Sequence, residues 1–244
     1  MKWIDFHCHV DLYDDPQAIL ASCARSGVAV FAVSTIPAAA DRLKPLVSAS
    51  GAVVHIGVGL HPEVAHEHQK SLELLLNEVR THRFVGEVGL DGSPQYREHQ
   101  ATQRRILEGV LSTCEREGGK ILSVHSRRAV RSVLDMLAQH PDAGMPVLHW
   151  FSGSPHELAE AVMSGCWFSV GLGMLQTASG REIVASMPRN RVLTETDGPF
   201  AQAAGKSLTP LDIERTVGVL AKVWSVPPES ARATVWSNYE ALVG

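Results

Sequence analysis

Eight short apolar runs rich in β-branched residues recur along the chain, each followed by a segment of helical periodicity, and no other feature restricts the fold so sharply. The runs are KWIDFH (2–7), VAVFAVST (28–35), AVVHIGVG (52–59), FVGEVG (84–89), KILSVH (120–125), PVLHW (146–150), CWFSVG (166–171) and RVLTETD (191–197). A strand-plus-helix unit of roughly 30 residues is the mark of βαβ construction with parallel strands. Eight such units favour an α/β fold closed into a (β/α)8 TIM barrel over an open doubly wound sheet. The absence of a GxGxxG or GxxxxGK[ST] loop agrees, since those phosphate cradles mark the open-sheet alternatives.

The chain has 244 residues, 45% of them hydrophobic, enough for one barrel-sized domain spanning 1–244. Helical spacing puts Ile19, Leu20 and Cys23 on one face, Ile106, Val110 and Leu111 on another, and Ile213, Val217, Leu220 and Trp224 on a third. Ser154 before Pro155 and Thr209 before Pro210 read as N-caps followed by proline at the first helical position. A further short helix after VPPES is expected to end near Leu242. Cys8, Cys23, Cys114 and Cys166 are widely spaced among apolar neighbours and read as reduced thiols. With no signal-like start and no apolar run long enough for a bilayer, the chain is expected to be soluble, cytoplasmic and independent of membranes. Its formal net charge of −4 argues against gripping a long duplex through many phosphates.

Chemistry-bearing residues collect at the strand ends. In DFHCH, alternate positions of a strand put Asp5, His7 and His9 on one face, with Phe6 and Cys8 on the other. His7 and His9 lie at the end of the first run, Glu87 near the end of the fourth, His125 at the end of the fifth, His149 late in the sixth and Asp197 at the end of the eighth. That is the barrel face on which catalytic groups are found. An HxH pair alone is a weak metal signal, and Glu87 alone would be an acid stranded in an apolar strand. Four histidines and two carboxylates on one rim make a mixed N/O donor set suited to two divalent ions such as Zn, Mn or Mg. His61, in GLHPE just past the third run, falls on the same rim, where a substrate contact and loop packing are both open readings. Arg127, two residues beyond His125, can reach a phosphate, whereas Arg128 and Arg131 read as solvated. Trp150 and Phe151 are either barrel packing or a platform for a base. His55 reads as a core or inter-strand hydrogen-bonding residue, and His66, His68, His82, His99, His140 and His156 as surface groups.

The ordered motifs DFHCH, GLHP, GEVGLD, VHSR, HWFSG and TETDGPF resemble those of the TatD family of metal-dependent deoxyribonucleases, within the amidohydrolase-like barrels, from residue 5 to about 200. The resemblance implies that His7, His9, Glu87 and Asp197 hold one metal ion, that Glu87, His125 and His149 hold a second with Glu87 bridging, and that Asp197 orients or deprotonates the attacking water. Glu87 and Asp197 are thus the candidate catalytic residues, and DNA, as single strands or ends, is the implied substrate. MKWIDFHCHVDLY with LHWFSG is similar in particular to the TatD-like proteins of Qat antiphage operons, which implies a role in antiviral defence and protein partners in a defence complex.

Three departures from the family pattern fall on loops that line the groove in such barrels: the compact GSPQYREHQ after GLD, Trp150 in place of a cysteine, and PFAQAAGKSLTP, which offers only Lys206 where an arginine-bearing stretch is usual. They leave the ligand set intact and bear on ordinary exonuclease activity. His61, Arg127, Trp150 and Lys206 are the candidate substrate-binding residues. Two alternatives remain: a different hydrolase on the same scaffold, acting on an amide, lactone or small phosphoester, and a scaffold subunit of a defence complex. Many binuclear barrels bridge their metals with a carbamylated lysine on the fourth strand; this strand carries Glu87 and no lysine.

Overall fold

A computed structural model describes residues 2–244. The eight runs all form strands: β1 (Trp3–Cys8), β2 (Val28–Val33), β3 (Val54–Gly57), β4 (Phe84–Gly89), β5 (Ile121–His125), β6 (Met145–His149), β7 (Trp167–Gly171) and β8 (Val192–Glu195). A two-residue hairpin, β9 (Gln202–Ala203) and β10 (Lys206–Ser207), follows β8. The helices are α1 (Pro16–Ser26), α2 (Pro37–Ser50), α3 (Leu72–Thr81), α4 (Gln100–Glu117), α5 (Val130–Gln139), α6 (Pro155–Met163), α7 (Leu172–Gln176), α8 (Ala178–Ala185), α9 (Ile213–Trp224) and α10 (Pro228–Val243). No described helix is long and apolar enough to cross a membrane.

The residues group into two compact units. One takes the chain through Ala32, Arg42–His55 and Phe168–Gly244; the other takes Val33–Asp41 and Ile56–Trp167. In the first, β1 pairs in parallel with β2, and β7 with β8. Thr194 Oγ1 donates to the Ile4 carbonyl at 2.8 Å, which ties β8 to β1. Phe6 meets Phe31 edge to face at 4.9 Å between centroids. The anticipated face of α9 is buried throughout, as are Ala231, Val235, Tyr239 and Leu242 of α10. That last helix is longer than the short one expected: it begins inside VPPES at Pro228 and runs for 16 residues, because proline at a helix start removes no needed donor. Asn238 on it donates to the carbonyls of Arg189 and Val192, fixing where β8 begins.

In the second unit β4, β5 and β6 run parallel, and β4 and β5 are buried along their whole length, as strands covered on both faces are. Ile106, Val110 and Leu111 of α4 are buried as their spacing predicts. Ser154 forms a full capping box with Glu157 at the start of α6, and Thr209 does the same with Asp212 over a 3-10 turn leading into α9. Gly89 closes β4 with φ +146, and a Cβ there would collide with the His125 carbonyl. Glycine is required where these two strand ends close up.

Lys120, read from the sequence as the first residue of a strand, serves a helix instead. It precedes β5, is 5% exposed, and its ammonium donates to the carbonyls of Val79, Arg80 and His82 at 2.7, 3.0 and 2.9 Å. These acceptors belong to the end of α3, where the helix leaves carbonyls without intrahelical donors and where positive charge is favoured. Lys120→Met is expected to lower the unfolding free energy by about 2 kcal/mol, the scale of stranding buried acceptors. Urea denaturation of the two proteins measures it.

Candidate metal centre

In the first unit the donors converge from β1 and the turn after β8. His7 and His9 are fully buried, and their Nε2 atoms lie 3.8 and 3.7 Å from Asp197 Oδ1. One nitrogen from each and one carboxylate oxygen fall within 4.8 Å of one another. Asp197 does not end the strand, as the sequence suggested, but stands two residues beyond Glu195 in the left-handed region, φ +53. The cause is Asp5. Its carboxylate takes the Thr196 N–H at 2.9 Å and the Thr196 hydroxyl at 2.5 Å, while the Asp197 N–H donates to the His7 carbonyl at 2.9 Å. Asp5 shares the sequence face of the two histidines, yet it acts as the clasp that turns Asp197 toward them. Burial pushes its carboxyl up to about 7, against the hydrogen bonds from Thr196 and the His7 N–H.

Gly198, next in line, has its carbonyl bonded by the His9 N–H at 2.8 Å, and a Cβ on it would collide with the Tyr13 hydroxyl and the Leu208 carbonyl. Phe200 is 57% exposed and meets His9 edge to face at 4.8 Å. Glu195, at the end of β8, is buried and accepts from Ser169 at 2.5 Å. Cys8, Cys23, Cys114 and Cys166 are all buried free thiols.

In the second unit Glu87 is 1% exposed, and its Oε1 gathers three histidines: His125 Nδ1 at 2.6 Å, His61 Nε2 at 3.2 Å and His149 Nε2 at 3.7 Å. His125 ends β5 as read from the sequence, and His149 ends β6, which stops one residue before the Trp150 included in the sequence run. Burial works to lower the His125 pKa, but hydrogen bonds to Asp91 and Glu87 outweigh it and raise the value to about 9. His61 differs from its neighbours. Its Nδ1 accepts the Glu63 N–H at 3.1 Å, so in the neutral ring the proton sits on Nε2, which faces Glu87 as a donor.

Other anticipated residues are more dispersed. Arg127 is exposed, with Nη1 3.8 Å from Glu63 Oε1. Trp150 is half-buried at φ +42 and lies edge-on to His149 at 6.4 Å, whereas Phe151 is fully buried and packs. Lys206 is exposed on β10. His55 bonds to the Tyr239 hydroxyl of α10 at 2.7 Å. Of the six histidines expected at the surface, His66, His68, His82, His99 and His140 are half-buried and His156 is exposed. His66 and His99 stack at 3.8 Å, and His140 is held between Glu108 and Glu115, each at 2.9 Å.

Both donor sets suit a divalent cation. Each combines imidazoles with carboxylate in a buried setting, an arrangement that a shared divalent cation offsets. His7, His9 and Asp197 would hold one ion; Glu87 and His125, with His149 beside them, another. Sequence reasoning passed over Asp91 and Glu63, and placed Asp5 on the face of His7 and His9 without finding its partner Thr196. Asp91 stood in plain view in GEVGLD, but nothing in its spacing tells a ligand from a neighbour of one.

The family described as TatD related DNase matches residues 4–244. The chain is 28% identical over 267 residues to the uncharacterized metal-dependent hydrolase YjjV of Escherichia coli (strain K12), covering 99% of this chain and 97% of that protein. It is 28% identical over 149 residues to Deoxyribonuclease Tat-D of Schizosaccharomyces pombe, covering 58% of this chain and 47% of that one. Among solved structures, the crystal structure of the Escherichia coli YjjV TatD homolog superposes with a TM-score of 0.88 at 26% identity, covering 98% of this chain and 97% of that chain. Agreement across nearly the whole chain bears out the α/β, (β/α)8 fold class.

Proposed function

Because the chain belongs to the TatD-related DNase family of metal-dependent hydrolases, we propose that it cleaves phosphodiester bonds in DNA, acting on single strands or short ends, with two divalent ions as cofactors and the whole chain as one catalytic domain. The observation that carries this is the pair of donor sets, His7, His9 and Asp197 in one unit and Glu87, His125 and His149 in the other. The family resemblance adds that Glu87 serves both ions. Divalent ions so held lower the pKa of a water and offset charge on the phosphoryl and leaving oxygens.

The chain's own residues do the rest. Asp197 has a side chain 15% exposed, so water reaches it, and its carboxylate is the acceptor for the proton of the attacking water. The left-handed turn and the Asp5 clasp hold that carboxylate in place between turnovers. His61, with its proton on Nε2, is a donor suited to an anionic phosphoryl oxygen, and Arg127 is a cation for a non-reacting one. The different-hydrolase alternative is answered by the test itself. Metal content and hydrolysis of single strands, duplex and mononucleotides are measured on one purified sample; absence of bindable divalent metal ends the hydrolase reading, and cleavage of none of the nucleic acids ends the nuclease reading. The similarity to Qat proteins supports a defence role with protein partners, which a phage plaque assay of the Asp197→Asn strain tests.

The exposed cation and aromatic define a further expected result. A protein of net charge −4 with few accessory cations draws little affinity from a long phosphate backbone, so binding should fall only shallowly with salt. Trp150→Ala is expected to weaken binding of a fluorescent single strand by about 1 kcal/mol or more, the low end of a base-stacking contact. Lys206→Ala should weaken it through loss of one phosphate contact, and neither variant should change metal content. A steep salt slope, tight duplex binding or indifference to both substitutions would send the nucleic acid elsewhere.

A further inference from the structure

Asp91 is fully buried, and its Oδ2 lies 3.0 Å from His125 Nε2. We propose that Asp91 is a positioning residue that locks His125 with its proton on Nε2 and its lone pair on Nδ1, the nitrogen facing Glu87. The proposal deepens the metal reading and rests on it, since a histidine binds a cation only through the nitrogen that carries a lone pair.

The lock is built from every side of Asp91. Its Oδ1 takes the Ser93 N–H at 2.7 Å. Its own N–H donates to Gln103 Oε1 at 2.9 Å, and Gln103, 1% exposed, donates onward to the Pro62 carbonyl at 3.1 Å. Gln100 donates to the Asp91 carbonyl. On either side of it the Leu90 N–H bonds the His125 carbonyl at 3.0 Å and the Gly92 N–H bonds the Arg127 carbonyl at 2.9 Å. Neither the backbone nor the carboxylate can swing away from the imidazole.

An ionised carboxylate only accepts, so the ring nitrogen opposite it must donate. That assigns the proton to Nε2. In the neutral ring the lone pair is then on Nδ1, which lies 2.6 Å from Glu87 Oε1 in a group suited to a cation. Carboxylate, histidine and cation in series is the arrangement that orients a ligating imidazole and raises its basicity, and removing the outer member commonly costs about 10–100-fold in metal affinity. The contrast with His61 is informative. There a backbone N–H claims Nδ1 and leaves the proton on Nε2, so both rings carry the same tautomer but His61 turns its N–H to Glu87 and His125 its lone pair.

Asparagine at this site is diagnostic. The Ser93 N–H claims an oxygen at the Oδ1 position, so the amide of Asp91→Asn presents its NH2 to His125 Nε2 and reverses the ring, placing the proton on Nδ1. The probe is zinc(II), followed by calorimetry on wild type, Asp91→Asn and Asp91→Ala, with melting curves of each metal-free protein. Ring ¹⁵N spectra of His125 are recorded for the zinc-loaded wild type. The expected result is a protonated Nε2 in the wild type and zinc affinity lower by about 10–100-fold in the asparagine variant, with a smaller loss in the alanine variant, which imposes no wrong tautomer. Wild-type zinc affinity in Asp91→Asn overturns the proposal. If the variants fail to fold, the wild-type spectrum decides alone: an unprotonated Nε2 overturns it. A wild type that binds no zinc or other divalent metal overturns the metal reading itself, a distinct failure.

Discussion

Asp197→Asn is expected to cut hydrolysis of any DNA substrate the wild type cleaves by about 10²–10⁴-fold, the usual span for a lost general base, while the metal-free protein melts close to wild type. The substitution separates chemistry from folding for structural reasons. Position 197 has φ +53, a conformation that asparagine tolerates better than other non-glycine residues, so the turn after β8 survives. The two backbone bonds at this residue, to the His7 carbonyl and from the Ala201 N–H, do not involve the side chain. What disappears is the negative charge beside His7 and His9 and the capacity to take a proton. Bound metal should fall as well, since an amide oxygen is a weaker donor to a divalent cation than a carboxylate. Near-normal turnover in this variant would remove Asp197 from the mechanism. An unfolded variant would show that the carboxylate serves mainly to hold the strand end.

Strand positions were legible because each run had to be apolar to be buried, and the candidate ligands stood out because polar residues at the ends of such runs have no packing reason to be there. His125 closes its strand where the sequence put it, and His149 closes β6 one residue before the expected end. The misses share one cause: their partners are remote in sequence. Asp5 looks like a third member of an alternating polar face, and only the fold brings Thr196 to it. Lys120 looks like the start of a strand, and only the fold delivers the three carbonyls near the end of α3 to its ammonium. His66 and His99 are each polar residues in polar surroundings, and their stacking at 3.8 Å depends on how two loops meet. Local pattern reports burial and periodicity. It does not report which long-range partner answers a buried polar group.

Glu87 is the residue whose loss should reach furthest. Its carboxylate is 1% exposed and has three histidine nitrogens between 2.6 and 3.7 Å from one of its oxygens. Glu87→Ala removes a candidate metal ligand and also one of the two carboxylates whose hydrogen bonds raise the His125 pKa. Breaking a buried charge pair from one side costs about 3–5 kcal/mol, so the metal-free variant should melt well below wild type. His7→Ala deletes one imidazole from the other donor set and leaves the Glu87 carboxylate in place, so its metal loss should be smaller. Elemental analysis after dialysis against a defined divalent salt orders the three proteins, wild type first, His7→Ala second and Glu87→Ala last. Glu87→Gln keeps the volume and removes the charge, and it distinguishes the two contributions: if it melts like wild type but loses metal like the alanine variant, the carboxylate's role is ligation, and the instability of the alanine variant is packing. If His7→Ala loses as much metal as Glu87→Ala, the shared role that the family resemblance gives Glu87 is wrong, because a residue serving one ion has no reason to matter more than a ligand of the other.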